Sequence, residues 1–250
     1  LRVIYDGVAS RGTGVDIGKI AEWRGKTALI GCVTEVIDKI RRYGNDLGER
    51  FLYYKYNPEY PTEPVSARTP EQEAIRDQIP DDIRDFVREK AAIVNSVEIS
   101  EDASQFVFGL ATFIARARTA VERDSRSRVV TQIYQPEQPF RVIESLTTLY
   151  KCLRVIHPED EDRIKNILKH IAVSSIPELR KNIIETLSRS RKAITLNELQ
   201  EQFRLSESFI YRTLEDMLCQ DLLTTDGKTQ GRIVQYSIHP EFEPFVKLAA

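Results

Sequence analysis

"TLNELQEQFRLSESFIYRTLEDMLCQ", residues 195–220, holds two helix starts in close succession. Thr195 with Glu198 three positions on forms a capping box: the hydroxyl takes the third helical N–H, and the carboxylate returns to the cap's own N–H. After the short link Arg204-Leu205, Ser206 caps a second helix, whose apolar side is read as Phe209, Ile210, Leu214, Met217 and Leu218. Upstream, "PELRKNIIETLSRS" (177–190) supplies a further amphipathic helix. Downstream, "DLLTTDGKTQGRIVQYSIH" (221–239) gives two β-favouring runs, and its Asp226 to Gly231 segment is rich in turn residues.

Three helices followed by a β-hairpin specify a winged helix-turn-helix over residues 177–250. Such a module places its second turn-flanked helix in the DNA major groove. The outward positions of that helix are Glu207, Ser208, Tyr211, Arg212 and Glu215. Ser208, Tyr211 and Arg212 suit DNA contact, whereas the two glutamates oppose phosphate approach. Lys228 and Arg232 on the wing, with Arg189, Arg191 and Lys192 before the capping box, form a local basic patch. Residues 178–250 carry 10 Lys and Arg against 11 Asp and Glu, so the region has no general basic footprint. A protein-docking wing therefore stands as the rival to DNA contact.

Moving toward the N-terminus, residues 70–176 read as helix in nearly every segment. Thr69 caps a helix that opens on Pro70, with Glu71 and Glu73 in its first turn. "PDDIRDFVREKAAIV" from Pro80 repeats that start and predicts a second helix. Residues 104–123 carry a stripe of Phe106, Leu110, Phe113, Ile114 and Ala117; residues 141–153 and 162–172 carry stripes of the same period, all read as core. Pro58, Pro61, Pro64 and Pro70 separate this region from an α/β beginning. There, 27–33 and "FLYYKY" (51–56) are expected strands, and 35–43 an expected helix between them.

The triplet Gly25-Lys26-Thr27 is the way a phosphate loop ends. That loop needs a glycine five positions before Gly25, where Ile20 stands, and it should follow a buried strand and open a helix. The polar stretch 21–24 precedes the triplet and a strand-like apolar run follows it. The triplet is thus a decoy.

Taken in order, these elements resemble the second half of an AAA+ ATPase module, in the minichromosome-maintenance and initiator branch. "VDIGKIAEWRGKTALIGCVT" (15–34) is similar to the pre-sensor-1 hairpin and sensor-1 strand. "LGERFLYY" (47–54) resembles the arginine-finger turn, and "PFRVIESLTTLYKCLRVIHPEDEDRI" (139–164) the sensor-2 helix and its partner. The resemblance implies a fold that is mixed and mainly α. Residues 1–60 are a partial α/β core, 61–176 an all-helical lid and 177–250 the winged-helix domain. It implies Thr34 as sensor 1, Arg50 as arginine finger, and Arg141 as sensor 2 touching the γ-phosphate. Lys19 would face DNA from the hairpin. By their own chemistry, Thr34 also reads as an N-cap, Arg50 as a surface ion-pair partner, Arg141 as a routine helix-start arginine, and Lys19 as a solvated turn lysine. Thr stands where the family more often has Asn. The family's phosphate loop and acidic Mg²⁺-holding strand would precede Leu1. The chain is accordingly expected to be the C-terminal part of a longer polypeptide. ATP and Mg²⁺ are its cofactors only at full length, with no hydrolysis by this chain alone and homo-oligomers formed through the AAA+ edge.

The remaining composition sets bounds. Hydrophobic residues make up 41% and charged residues 30% of 250, which suits a globular chain with a real core. A net charge of −2 removes any global attraction to nucleic acid. Cys32, Cys152 and Cys219 lie in apolar patterns without paired spacing and are expected to be buried reduced thiols of a cytoplasmic protein. His157, His170 and His239 form no ligand cluster and read as surface or cap residues. No apolar run of membrane length is present. The alternative reading of the whole chain is a non-enzymatic transcriptional regulator, in which a helical sensing or dimerisation domain carries the winged helix.

Overall fold

The computed structural model describes residues 8–12, 20–25, 30–34, 37, 51–56, 69–190, 192–226 and 234–246. Residues 1–43 form one compact unit and residues 44–250 another. In the first, β1 (Val8–Gly12) and β2 (Ile20–Arg24) form an antiparallel hairpin in the register Val8↔Arg24 to Gly12↔Ile20. The segment before Gly25 is therefore a ladder strand rather than a glycine-rich loop.

The expected strand at 27–33 is corrected. Its described part, 30–33, pairs with nothing as a strand, and Ile30 is 95% exposed. Residues 51–56 were also expected to be a strand. They run without a ladder partner, held instead as an extended strap on the larger unit. Tyr53 N–H donates to Ser175 Oγ (2.8 Å), Arg118 donates to the Phe51 carbonyl (2.7 Å), and Lys55 pairs with Glu178. An apolar alternating run marks burial of one face, but only a neighbouring strand turns it into sheet.

The helices begin where caps place them. Helix α1 (Pro70–Val94) starts at Thr69, whose side chain accepts from Gln72 N–H in a complete capping box. The expected second start at Pro80 does not occur, because α1 continues through it. An interior proline removes one helical hydrogen bond and costs about 3 kcal/mol. Helix α2 (Glu101–Arg118), capped by Ser100, buries Leu110, Phe113, Ile114 and Ala117 as its stripe requires. It ends five residues before the expected 123, and the chain turns into β3 (Val121–Arg123) and β4 (Val130–Ile133), an antiparallel pair. The region is therefore not all-helical. Asp124 stabilises the turn by accepting from Arg126 and Ser127 N–H, which lets Arg128 adopt a positive φ of 62°.

Helices α3 (Phe140–Ile156) and α4 (Glu161–Ser174) follow, with Tyr150 OH donating to Glu161 across their junction. Then come α5 (Glu178–Ser190), β5 (Ile194–Thr195), α6 (Leu196–Phe203), α7 (Glu207–Cys219), β6 (Leu223–Thr225), β7 (Gln235–Ile238) and the short α8 (Glu243–Val246). The three strands form an antiparallel sheet in the order β5-β7-β6, with Ile194 opposite Tyr236 and Leu223 opposite Ile238. One hydrophobic core runs from Ala103 on α2 to Val246 on α8. The described fold is mixed and mainly α, with eight helices among the described residues.

The capping box at Thr195 has a pH signature. Thr195 N–H and Oγ–H both donate to Glu198, which holds that carboxyl below its ordinary range. A carboxyl with a folded pKa below its unfolded value contributes stability above the unfolded value, and loses it as pH falls through the folded one. The protection of α6 amides, relative to their intrinsic exchange rates, should therefore fall between about pH 5 and about pH 3. Thr195→Ala should lower it about fivefold near neutrality and flatten that acid dependence. An unchanged acid profile in the variant would count against the cap as its source.

Candidate functional site

The first turn of α7 is set by the left-handed Arg204 (φ 53°), which closes α6 and redirects the chain within two residues to Ser206. Ser206 takes the cap position by backbone geometry, with no side-chain cap hydrogen bond. Ile210, Leu214 and Met217 are fully buried, which anchors the inner face as expected. Phe209 was assigned to that face, but it is 42% exposed. Leu205, in the link just before the cap, is exposed as well, so this end of the helix is more apolar than the period suggests.

On the outward side Ser208 is exposed and Tyr211 is 49% exposed. Arg212 folds back along its own helix, where Nε donates to the Ser208 carbonyl at 2.7 Å and Nη2 lies 3.5 Å from Ser208 Oγ. Burial, then the nearby Tyr211 and Glu215, raise the pKa of Tyr236 on β7.

The acidic flank of α7 is held from behind. Arg123 on β3 donates to Glu215 Oε2 (2.7 Å), to Asp216 Oδ1 through Nε (3.1 Å) and Nη2 (2.5 Å), and to the Arg212 carbonyl (3.1 Å). Glu215 was expected to repel phosphate, but its charge is paired and turned toward the body of the unit. Arg180 approaches Asp216 from the other side at 3.7 Å. Neither arginine carries a local motif. Their partners lie far along the sequence, and the β3–β4 hairpin that delivers Arg123 has strands of only three and four residues.

Of the basic patch, Lys192 is exposed next to a backbone bracket in which Ser190 Oγ donates to the Lys192 carbonyl (2.7 Å). Arg189 is exposed and pairs with Glu185 at 3.4 Å. Arg191, Lys228 and Arg232 lie outside the described residues, as do Lys19 and Arg50. Thr34 is exposed, and its carbonyl accepts Ile37 N–H at 3.1 Å, the opening bond of a turn. Arg141 stands in the first turn of α3, 3.8 Å from Glu137. Thr34 belongs to the unit 1–43 and Arg141 to the unit 44–250.

A shallow groove is lined by Tyr54, Asp160, Asp162, Arg163, Asn166 and His170. His170 Nε2–H donates to the Lys55 carbonyl (2.8 Å) and its ring lies 4.7 Å from that of Tyr54, so it fastens the strap. His157 is a C-cap, as its position suggests. Cys32 was expected to be buried and is exposed; Cys152 and Cys219 are half-buried. Among the described residues, no group of three or more His, Cys, Asp or Glu could hold a metal ion, and no helix is long and apolar enough to cross a membrane. No family model, curated protein or solved structure matches this chain.

Proposed function

We propose that this chain is the C-terminal portion of a DNA-associated AAA+ ATPase, of the replication-initiator or mobile-element kind, ending in a winged helix that contacts DNA. The observation that carries the DNA-contacting part is the arrangement of residues 178–246. A helix, a short strand and two helices joined through a left-handed residue lead into a β-pair, and the sheet order is β5-β7-β6. That order supports a winged helix, because the short strand before α6 closes the sheet on the far side of β7. The front of α7 offers Ser208, Tyr211 and Arg212 for base and backbone contact, with Lys192, Arg191, Lys228 and Arg232 for phosphates. Pairing of Glu215 with Arg123 removes one source of repulsion.

The ATPase part rests on the hairpin β1–β2 followed by an exposed apolar run. Ile30 and Val33 lie open to solvent, apolar surface that is available for cover by another part of the polypeptide. In that reading Thr34, Arg50 and Arg141 act as sensor 1, arginine finger and sensor 2. ATP and Mg²⁺ would be held by residues outside this chain, and subunits would meet at the AAA+ edge.

The test has two arms. The chain alone should turn over no ATP. The polypeptide encoded by the whole reading frame should hydrolyse it, with Arg50→Ala slowing turnover about a thousandfold. In the second arm, duplex DNA binding by this chain should weaken about tenfold with Tyr211→Ala, and more steeply with rising salt. A reading frame that starts near Leu1 with DNA binding intact would favour the transcriptional regulator. The single core shared by α2 through α8, which would couple a helical sensing region to the winged helix, is the observation on that side. Turnover by the isolated chain would refute the reading of it as a portion that cannot hydrolyse ATP by itself.

A further inference from the structure

Helix α1 is 25 residues long, yet it buries none of them. Ile75, Ile79, Ile83, Phe86, Val87 and Ile93 are all exposed, Ile75 to 64%. At helical spacing they fall within about 120° of arc, the width of a face built to pack. The helix touches α3, but only Lys90 and Val94 are even half-buried. Pro80 interrupts the hydrogen-bond ladder at its centre. A helix with an interior proline and no buried face draws little stability from the described residues of its own chain, so its stripe calls for a partner.

We propose that this stripe pairs with the same helix of a second copy of the chain, in an antiparallel arrangement. Area supports the pairing. The six exposed side chains offer about 500 Å² per helix, so a pair would bury about 1,000 Å², the threshold of a specific interface. Charge sets the direction. Residues 70–82 carry Glu71, Glu73, Asp77, Asp81 and Asp82 against Arg76, whereas residues 83–94 carry Arg84, Arg88 and Lys90 against Asp85 and Glu89. Parallel helices would place two strongly acidic halves together; antiparallel helices place each acidic half against the basic end of its partner. The apolar positions fit the same symmetry. With the two-fold axis beside residue 81, Ile79 meets Ile83 and Ile75 meets Val87. The proposal depends on neither functional reading above.

Sedimentation of the full chain at tens of micromolar should show a dimer. Ile79→Asp should weaken the pairing at least a hundredfold, on the order of the effect of placing an unpaired carboxylate twice in an apolar seam. Disulfide trapping gives an independent readout. A mixture of Ile79→Cys chains and Ile83→Cys chains, in a background with Cys32, Cys152 and Cys219 changed to Ser, should cross-link more to each other than to themselves. A chain that sediments as a monomer at that concentration overturns the proposal. So does a dimer that Ile79→Asp leaves intact, or one in which self-cross-links exceed the mixed product.

Discussion

Arg180→Met is expected to destabilise the 44–250 unit by about 3 kcal/mol. Arg180 is 7% exposed, and its Nη1 donates to the Ala117 carbonyl (2.7 Å) and the Thr119 carbonyl (2.8 Å), both at the C-terminal end of α2. Those carbonyls have no continuing helix to serve them, so the guanidinium supplies the donors. Its Nη2 lies 3.7 Å from Asp216, whose carboxylate Arg123 also holds. Burial pulls the Arg180 pKa down and Asp216 opposes that pull. Methionine fills a similar volume, but it leaves two carbonyls without donors and removes one cation from the pair of arginines around Asp216. Arg180→Lys keeps the charge but lacks the planar fork that reaches both carbonyls, and it should recover less than half of the loss. The denaturant midpoint should fall at unchanged slope. In a double-mutant cycle, Asp216→Asn should cost less in the Arg180→Met background than in the native one. A midpoint within error of the native chain would show that the carbonyls are satisfied without Arg180.

What the sequence made legible, and what it did not, divides along the range of the interaction. Thr69, Ser100 and Thr195 start helices because a hydroxyl meets an N–H three residues away, and that geometry is complete within the local sequence. The stripe on α2 was legible for the same reason. Pro80 was misread because an interior proline and a new helix start look alike in sequence, and the tertiary setting decides between them. The runs at 30–33 and 51–56 carry strand propensity, but a strand exists only with a ladder partner, and propensity does not name one. The β3–β4 hairpin is too short for alternation to stand out. The pairing of Arg123 and Arg180 with Asp216 joins elements distant in sequence and leaves no local pattern. At the candidate DNA surface, residue types suggested Ser208 and Tyr211, while the back-folding of Arg212 and the neutralised Glu215 needed coordinates.

The second large effect lies at the other end of the core. Phe242→Ala is expected to cost about 4 kcal/mol, within the range for removing a buried aromatic ring. Phe242 is 1% exposed, with Phe113 of α2 at 5.7 Å between centroids and the Arg116 guanidinium 5.5 Å from its ring. It is the main plug between α2 and the segment leading to α8, so its loss should free residues 239–246 first. Hydrogen exchange should accelerate there before the amides of α2 respond. Gly109 gives this docking a test of sign. In an exposed helix interior, Gly→Ala stabilises by about 1 kcal/mol. Here a Cβ on Gly109 would stand 2.0 Å from Phe245 Cζ, so the ring must give up its place against α2. Gly109→Ala should therefore destabilise the native chain. In the Phe242→Ala background, where α8 has already loosened, the same change should be neutral or stabilising. If Gly109→Ala stabilises both backgrounds equally, Phe245 does not pack against α2, and the loss expected at Phe242 would have to come from Phe113 and Arg116 alone.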